Sequence, residues 1–196
     1  MRLFLGFLIV FFPILGFSNE IQEDSLNGTM VAFSPDHRWM AIVEPSKHLK
    51  IPEECDPGPG TVGQIWLFDL KNAHKSLLVN PQFNCDNPET AIISIESLQF
   101  SIDSKTLYFQ TPGWPVSGAL HAIDLDGKNL RYIAPSNSFA LISGGVYAGD
   151  LAIAQHRYFI PVGSYDAYWA YNPQGKEIGF IGSDLTHFQD EENEFS

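Results

Sequence analysis

The run Phe33-Ser34-Pro35-Asp36-His37-Arg38-Trp39-Met40-Ala41-Ile42 aligns without a gap on Phe100-Ser101-Ile102-Asp103-Ser104-Lys105-Thr106-Leu107-Tyr108-Phe109. In each, an apolar strand end meets a polar turn carrying Asp and a basic residue, and a hydrophobic run then resumes, which is how a β-hairpin is written. Such self-similarity points to a repeat architecture. A second element recurs downstream as Ile65-Trp66-Leu67-Phe68-Asp69, Leu120-His121-Ala122-Ile123-Asp124 and Tyr168-Trp169-Ala170-Tyr171-Asn172, so three units are expected. The last two copies run into matching turns, Asp124-Leu125-Asp126-Gly127-Lys128 and Asn172-Pro173-Gln174-Gly175-Lys176. Asp or Asn opens such a turn by bonding its own backbone, and Gly supplies the positive φ. Short strands are expected next, over residues 130–134 and 177–181. The third unit's opening strands are expected over 141–147 and 150–159, although its first motif has decayed. No stretch shows a convincing amphipathic helical period.

A strand, a Phe-Ser-Pro-Asp turn, a second strand and then Ile-Trp-Leu-Phe-Asp-Leu resembles the repeat of TolB-type β-propellers. The resemblance runs from Met30 to about Ile181, strongest in the first unit and weakest in the third. It implies four-stranded blades and a role as a binding scaffold or as a domain beside a hydrolase. The expected fold is therefore all-β, with about three four-stranded antiparallel propeller-like blades. Closed propellers have about 4 to 8 blades, so the array is expected to be open or completed by self-association. An open array exposes strand edges and apolar faces. A homodimer closing a six-bladed ring, a tighter sandwich, or terminal segments folded over the ends would each cover them.

Arg2 followed by an apolar run from Leu3 to Leu15, with Gly16 and Ser18 at positions −3 and −1 of a cut, is the layout of a signal peptide. The run is shorter than the ~20 residues that span a bilayer. The expected organisation is a signal peptide over 1–18, one β-repeat domain over 19–183 and an acidic, mobile tail over 184–196. That places the protein in the periplasm or outside the cell, with no membrane span after cleavage following Ser18. In such a compartment Cys55 and Cys85 are expected to form one disulfide, closing a loop of about 31 residues worth roughly 3 to 4 kcal/mol. A net charge of −12 with no Lys/Arg cluster argues against nucleic acid as a partner. Hydrophobic residues at 44% and charged residues at 17% describe a foldable chain rather than a disordered one.

Chemical motifs fail on context. Gly58-Pro59-Gly60-Thr61-Val62-Gly63 has the letters of a dinucleotide fingerprint, but a strand follows it where a helix is needed. Asp124 and Asp126 lack the further oxygen ligands of a calcium loop. There is no Gly-x-Ser-x-Gly, His-Glu-x-x-His or Walker loop. The six histidines are scattered, so no metal, cofactor or catalytic residue is assigned. His121, in the slot of Trp66 and Trp169, is expected to pack as an aromatic substitute.

One region is dense in polar and aromatic side chains: Gln155-His156-Arg157-Tyr158 and Gly163-Ser164-Tyr165-Asp166-Ala167-Tyr168-Trp169-Ala170-Tyr171. Strand alternation sets His156 and Tyr158 on one face and Gln155 and Arg157 on the other, with Tyr165, Trp169 and Tyr171 sharing a face of the next strand. Such composition is that of binding hot spots. His156, Arg157, Tyr158, Tyr165, Asp166, Trp169 and Tyr171 are the candidate binding residues, for a protein, peptide or glycan. The competing reading has Tyr and Trp filling the sheet core while Arg157 pairs with Asp166. The segment is also similar to a C-terminal stretch of uncharacterised exported bacterial proteins, which implies export but no activity. A non-catalytic exported binding module is the leading expectation. A structural subunit of a homo-oligomer is the alternative, and a periplasmic hydrolase of unrecognised type the weakest reading.

Overall fold

The computed structural model describes residues 30–46, 62–84, 86–114, 117–159 and 163–183. Cys55, Cys85, the signal peptide and the acidic tail lie outside them. Twelve strands form three four-stranded antiparallel sheets, each made of consecutive strands. Blade 1 is β1 (Val31–Phe33), β2 (Trp39–Pro45), β3 (Gly63–Asp69) and β4 (His74–Val79). Blade 2 is β5 (Ser97–Phe100), β6 (Thr106–Trp114), β7 (Ser117–Asp124) and β8 (Arg131–Ser136). Blade 3 is β9 (Ser138–Leu141), β10 (Leu151–Phe159), β11 (Gly163–Tyr171) and β12 (Glu177–Gly182). Helical structure among the described residues is confined to the single 3-10 turns Pro88–Thr90 and Gly145–Tyr147.

The two quoted repeats fold alike, down to individual hydrogen bonds. Ser34 Oγ donates to Asp36 Oδ1 at 2.6 Å and accepts the Trp39 N–H at 2.8 Å. Ser101 Oγ donates to Asp103 Oδ1 at 2.7 Å and accepts the Thr106 N–H at 2.9 Å. His37 and Ser104, at equivalent positions, both take φ of 56°. The turns touch across the blade boundary, where the Asp36 N–H donates to Ser104 Oγ at 3.2 Å. Asp or Ser recurs here because a short side-chain acceptor satisfies the N–H groups that a tight reversal leaves without a ladder partner. The Asp124 and Asn172 turns also match, each closed by two backbone bonds and by a glycine, Gly127 at φ 78° and Gly175 at φ 84°.

The third unit departs from the expected boundaries. Its first strand is Ser138–Leu141, not residues 141–147, because Gly144, Gly145 and Gly149 bend the chain through the 3-10 turn instead. The Ile142 N–H to Asp150 O bond closes that longer reversal at 2.9 Å.

Both faces of the sheets are apolar, so the blades stack. Ala41, Ile65, Leu67 and Val79 of blade 1 meet Leu98, Phe100, Leu107, Phe109 and Ile123 of blade 2 in one core cluster. Tyr108, Leu120 and Ala122, on the other face of blade 2, meet Leu151, Ile153, Trp169 and Tyr171 of blade 3 in a second. Blade 2 is thus covered on both sides. The far face of blade 1 carries Val31, Phe33, Met40, Ile42, Trp66, Phe68 and Leu77 in register, with no described sheet against it. Phe33 is 59% exposed and Leu77 39%. Across this face Lys75 Nζ lies 4.4 Å from the Trp66 ring centre and bonds Glu44 at 2.7 Å.

These turns yield a stability test. Ala73 holds φ of 50° in the β3–β4 turn, where a Cβ is disfavoured. Ala73→Gly is expected to raise unfolding free energy by about 0.5–1 kcal/mol, and Ser101→Ala to lower it by about 1 kcal/mol. Urea unfolding of both variants checks the two opposite signs.

Candidate functional site

The β10–β11 hairpin carries every predicted binding residue, and its register separates them by face. Arg157 lies opposite Tyr165, His156 opposite Asp166 and Tyr158 opposite Ser164. Arg157, Gln155, Trp169 and Tyr171 occupy the side turned to blade 2, and His156 and Asp166 the other. For Tyr158 and Tyr165 the strand position is what is established.

Arg157 does not pair with Asp166, which lies on the opposite face. Its Nη2 bonds Glu177 Oε2 of β12 at 2.6 Å, and Asp166 Oδ1 instead accepts from His156 Nδ1 at 2.9 Å. The guanidinium lies 4.0 Å above the Trp169 ring centre and donates to Gln155 Oε1 and to the Tyr171 hydroxyl. Gln155 Nε2 reaches back to Pro135 O of blade 2 at 2.8 Å. The Arg157 hydrogen bond holds the Glu177 carboxyl below its usual range, while burial, partly offset by the Gln155 bond, pushes the Tyr171 hydroxyl up.

Trp169 and Tyr171 are therefore core residues, 3% and 7% exposed, and they act here by fixing Arg157. What the hairpin offers to solvent is the Arg157–Glu177 ion pair on one side, and on the other the His156 imidazole bonded to the Asp166 carboxylate, the latter 69% exposed. Gln155 and Glu177 were not among the predicted site residues. The signal for Glu177 is its place just past the Asn172 turn, which brings it back opposite Tyr171.

His121 packs as expected of an aromatic substitute. It is buried, stacked on Phe109 at 5.1 Å between ring centres, with Nε2 2.9 Å from Thr111 Oγ1. The Thr111 hydroxyl donates its proton to Ala91 O, so it accepts from the imidazole Nε2–H. Burial pushes the His121 pKa down to about 4.

No protein-family model and no curated protein matches the chain. Among solved structures, the β-propeller domain of the Trilobed protease from Pyrococcus furiosus superposes with a TM-score of 0.51 at 17% identity, over 79% of this chain and 43% of that one. The acylaminoacyl peptidase of Pyrococcus horikoshii gives 0.50 at 14% identity, over 79% and 25%. The fold is that of a β-propeller. TolB from Acinetobacter baumannii gives 0.46 at 13% identity, over 76% and 30%. The chain thus spans less than half the length of each of these propeller-containing chains, and among the described residues its three blades do not close a ring.

The buried imidazole makes the propeller sensitive to acid. The unfolded chain binds a proton at His121 below about pH 6.5, the folded one only below about 4. Stability contributed by the neutral ring is complete above pH 6.5 and is lost as pH falls toward 4, by about 3 kcal/mol. Denaturant titrations from pH 7 to 4 are expected to show this loss in the native chain and a shallower slope in His121→Gln; parallel slopes refute it.

Proposed function

We propose that the chain is an exported, non-catalytic propeller module that binds a protein or peptide partner through the open end of its third blade. The observation that carries this reading is the fixed, half-exposed Arg157, set over Trp169 and tied to Glu177 on one side of a hairpin whose other side presents His156 and Asp166. Rigidly held charges of both signs on a β scaffold are suited to complementary polar contacts with another chain. A glycan partner is less well served. Sugar stacking needs a free aromatic face, whereas Trp169 is buried with Arg157 over its ring and the Phe180 edge 5.5 Å away. Tyr158 and Tyr165, at the same end of the hairpin, complete the proposed surface. Export rests on the leader over 1–18 with cleavage after Ser18, and a Cys55–Cys85 disulfide belongs to the same reading.

Trp169→Ala is a poor probe of binding, since emptying that site costs about 3–5 kcal/mol of stability. Arg157→Ala and an Asp166→Ala, His156→Ala double variant alter the surface while leaving the core in place. With the immobilised chain capturing exported proteins, a partner held by the native form is expected to fall about tenfold or more with each variant. Equal recovery with both sinks the proposal.

A second reading, a subunit that self-associates, is favoured by the uncovered face of blade 1. Exposed Phe33 and Leu77 flank half-buried Trp66 and Phe68 there, and contiguous apolar surface of this kind marks interaction sites. Sedimentation of the native chain is expected to show a concentration-dependent dimer that a Phe33→Glu, Leu77→Glu variant abolishes. A native chain that stays monomeric up to its solubility limit excludes it.

A further inference from the structure

Between blades 2 and 3, on the side of the Asp124 and Asn172 turns, lies an open cleft of about 1000 Å³. One wall is the row of blade 2 that faces blade 3, including Tyr108 and Arg131; the other is built from Asp150 and the turn at Pro173 and Gln174. Arg131 bridges the two walls, donating to Pro173 O at 3.0 Å. Three carboxylates, Asp103, Asp124 and Asp150, line the space against this one guanidinium.

Their states differ. Asp103 has Lys105 at 3.4 Å and Ser101, and Asp124 has Arg131 at 3.5 Å and the Asn129 amide. Asp150 has neither a hydrogen bond nor an ion pair from its side chain among the described residues, and burial pushes its pKa up. Beside it is a hydroxyl. Tyr108 is 1% exposed, lines the cleft, and its hydroxyl has no hydrogen-bond partner among the described residues. Burial raises its pKa to about 12; the charges acting on it are Arg131, which lowers it, and Asp103, Asp150 and Asp124, which raise it. All four are cleft residues, and Tyr108 lines the cleft with them.

We propose that this cleft is a ligand site for a primary ammonium group, as carried by a lysine side chain of an extended peptide, with Asp150 as counter-ion and the Tyr108 hydroxyl as acceptor. A compact point charge suits one carboxylate and one hydroxyl better than a planar guanidinium, which wants a bidentate partner. The carboxylates are too dispersed for a metal ion: no group of three His, Cys, Asp or Glu side chains arranged to hold one occurs among the described residues. Ile102 and Leu130, both exposed at the cleft, give the aliphatic stem an apolar surface to lie on. The volume is at the upper end of the range of about 300–1,000 Å³ for ligand sites, which leaves room for chain on either side of the charge.

Calorimetry with acetylated, amidated trilysine and with 1,4-diaminobutane tests this on the native chain. Binding of either supports the site, and tighter binding of the peptide identifies a peptide as its source. Asp150→Asn is expected to weaken binding about tenfold or more and Tyr108→Phe about threefold. Glu44→Gln changes net charge equally on blade 1 and is expected to leave binding as it was. Asp150→Asn is also expected to melt no lower than the native chain, because the carboxylate it removes has no partner to lose. The proposal is overturned if neither probe binds, or if Glu44→Gln and Asp150→Asn weaken binding alike, as attraction to overall charge would. The Asp166→Ala, His156→Ala hairpin variant is expected to bind trilysine normally, so this site and the hairpin surface stand or fall separately.

Discussion

A β-sheet with apolar side chains on both faces has no stable surface of its own, and blades 1 and 2 here are such sheets. Alternation puts Ile65 and Leu67 on one side of β3 and Trp66 and Phe68 on the other, and neither side is polar enough to meet water. Stacking face to face is the only arrangement that buries both. The position filled by Trp66, His121 and Trp169 shows the rule at work, since in every blade it points toward the preceding one. In blades 2 and 3 that neighbour exists and the side chain is 2–3% exposed. In blade 1 no described sheet stands there, and a lysine is drawn across the indole instead.

How much of this was legible follows from what is local. Ser34 and Ser101 bond partners two and five residues away, so the turns and the count of blades could be read from residue order alone. The third blade's first reversal could not be placed. Its closing bonds are made by backbone groups of Ile142, Gly149 and Asp150, and backbone bonding leaves no side-chain signature. The candidate site was legible in composition but not in pairing. Register decides whether Arg157 meets Asp166 or Glu177, and a single-residue offset moves a side chain to the opposite face. Seen as letters, Tyr, Trp, Arg and His form one cluster; folded, half of them face the core. Tyr108 and Asp150, 42 positions apart in a chain of 196, are neighbours only because blades 2 and 3 stack.

Polar groups inside the blade stack follow one accounting. Gln110 donates to Ser136 Oγ at 2.8 Å and accepts from Ser97, Thr111 joins His121 to Ala91 O, and Gln155 ties blade 3 to Pro135 O. Of these, the Gln155 bond crosses from blade 3 to blade 2, where a displaced sheet would strand its donor without a partner, and the others tie the strands of blade 2 to one another and to Ala91. Against that background the Tyr108 hydroxyl and the Asp150 carboxylate stand out. They are unpaired where the two sheets diverge; among the described residues the fully buried side-chain atoms without a partner are Trp66 Nε1 and Gln99 Oε1.

The two ends of the array differ, and the difference bears on how copies of the chain could meet. A six-bladed ring made by two chains would set the outward face of blade 1 against the outward face of blade 3. The first is large and aromatic, with Phe33 the most open of its side chains. The second carries Ala152, Ala154 and Ala170, which are 2%, 8% and 5% exposed and hence already covered. A ring would bury little new surface on these alanines, and the exposed apolar side chains of blade 3, Phe180 at 59% and Ile178 at 42%, lie on its edge strand β12. Pairing two blade 1 faces across a two-fold axis removes that surface from water in both copies at once. It also sets the Lys75–Glu44 pair of each copy at the rim of the interface, where charges of both signs are self-complementary. A two-fold contact through blade 1, as the self-association reading proposes, would leave the hairpin of blade 3 and the cleft beside it open to other partners.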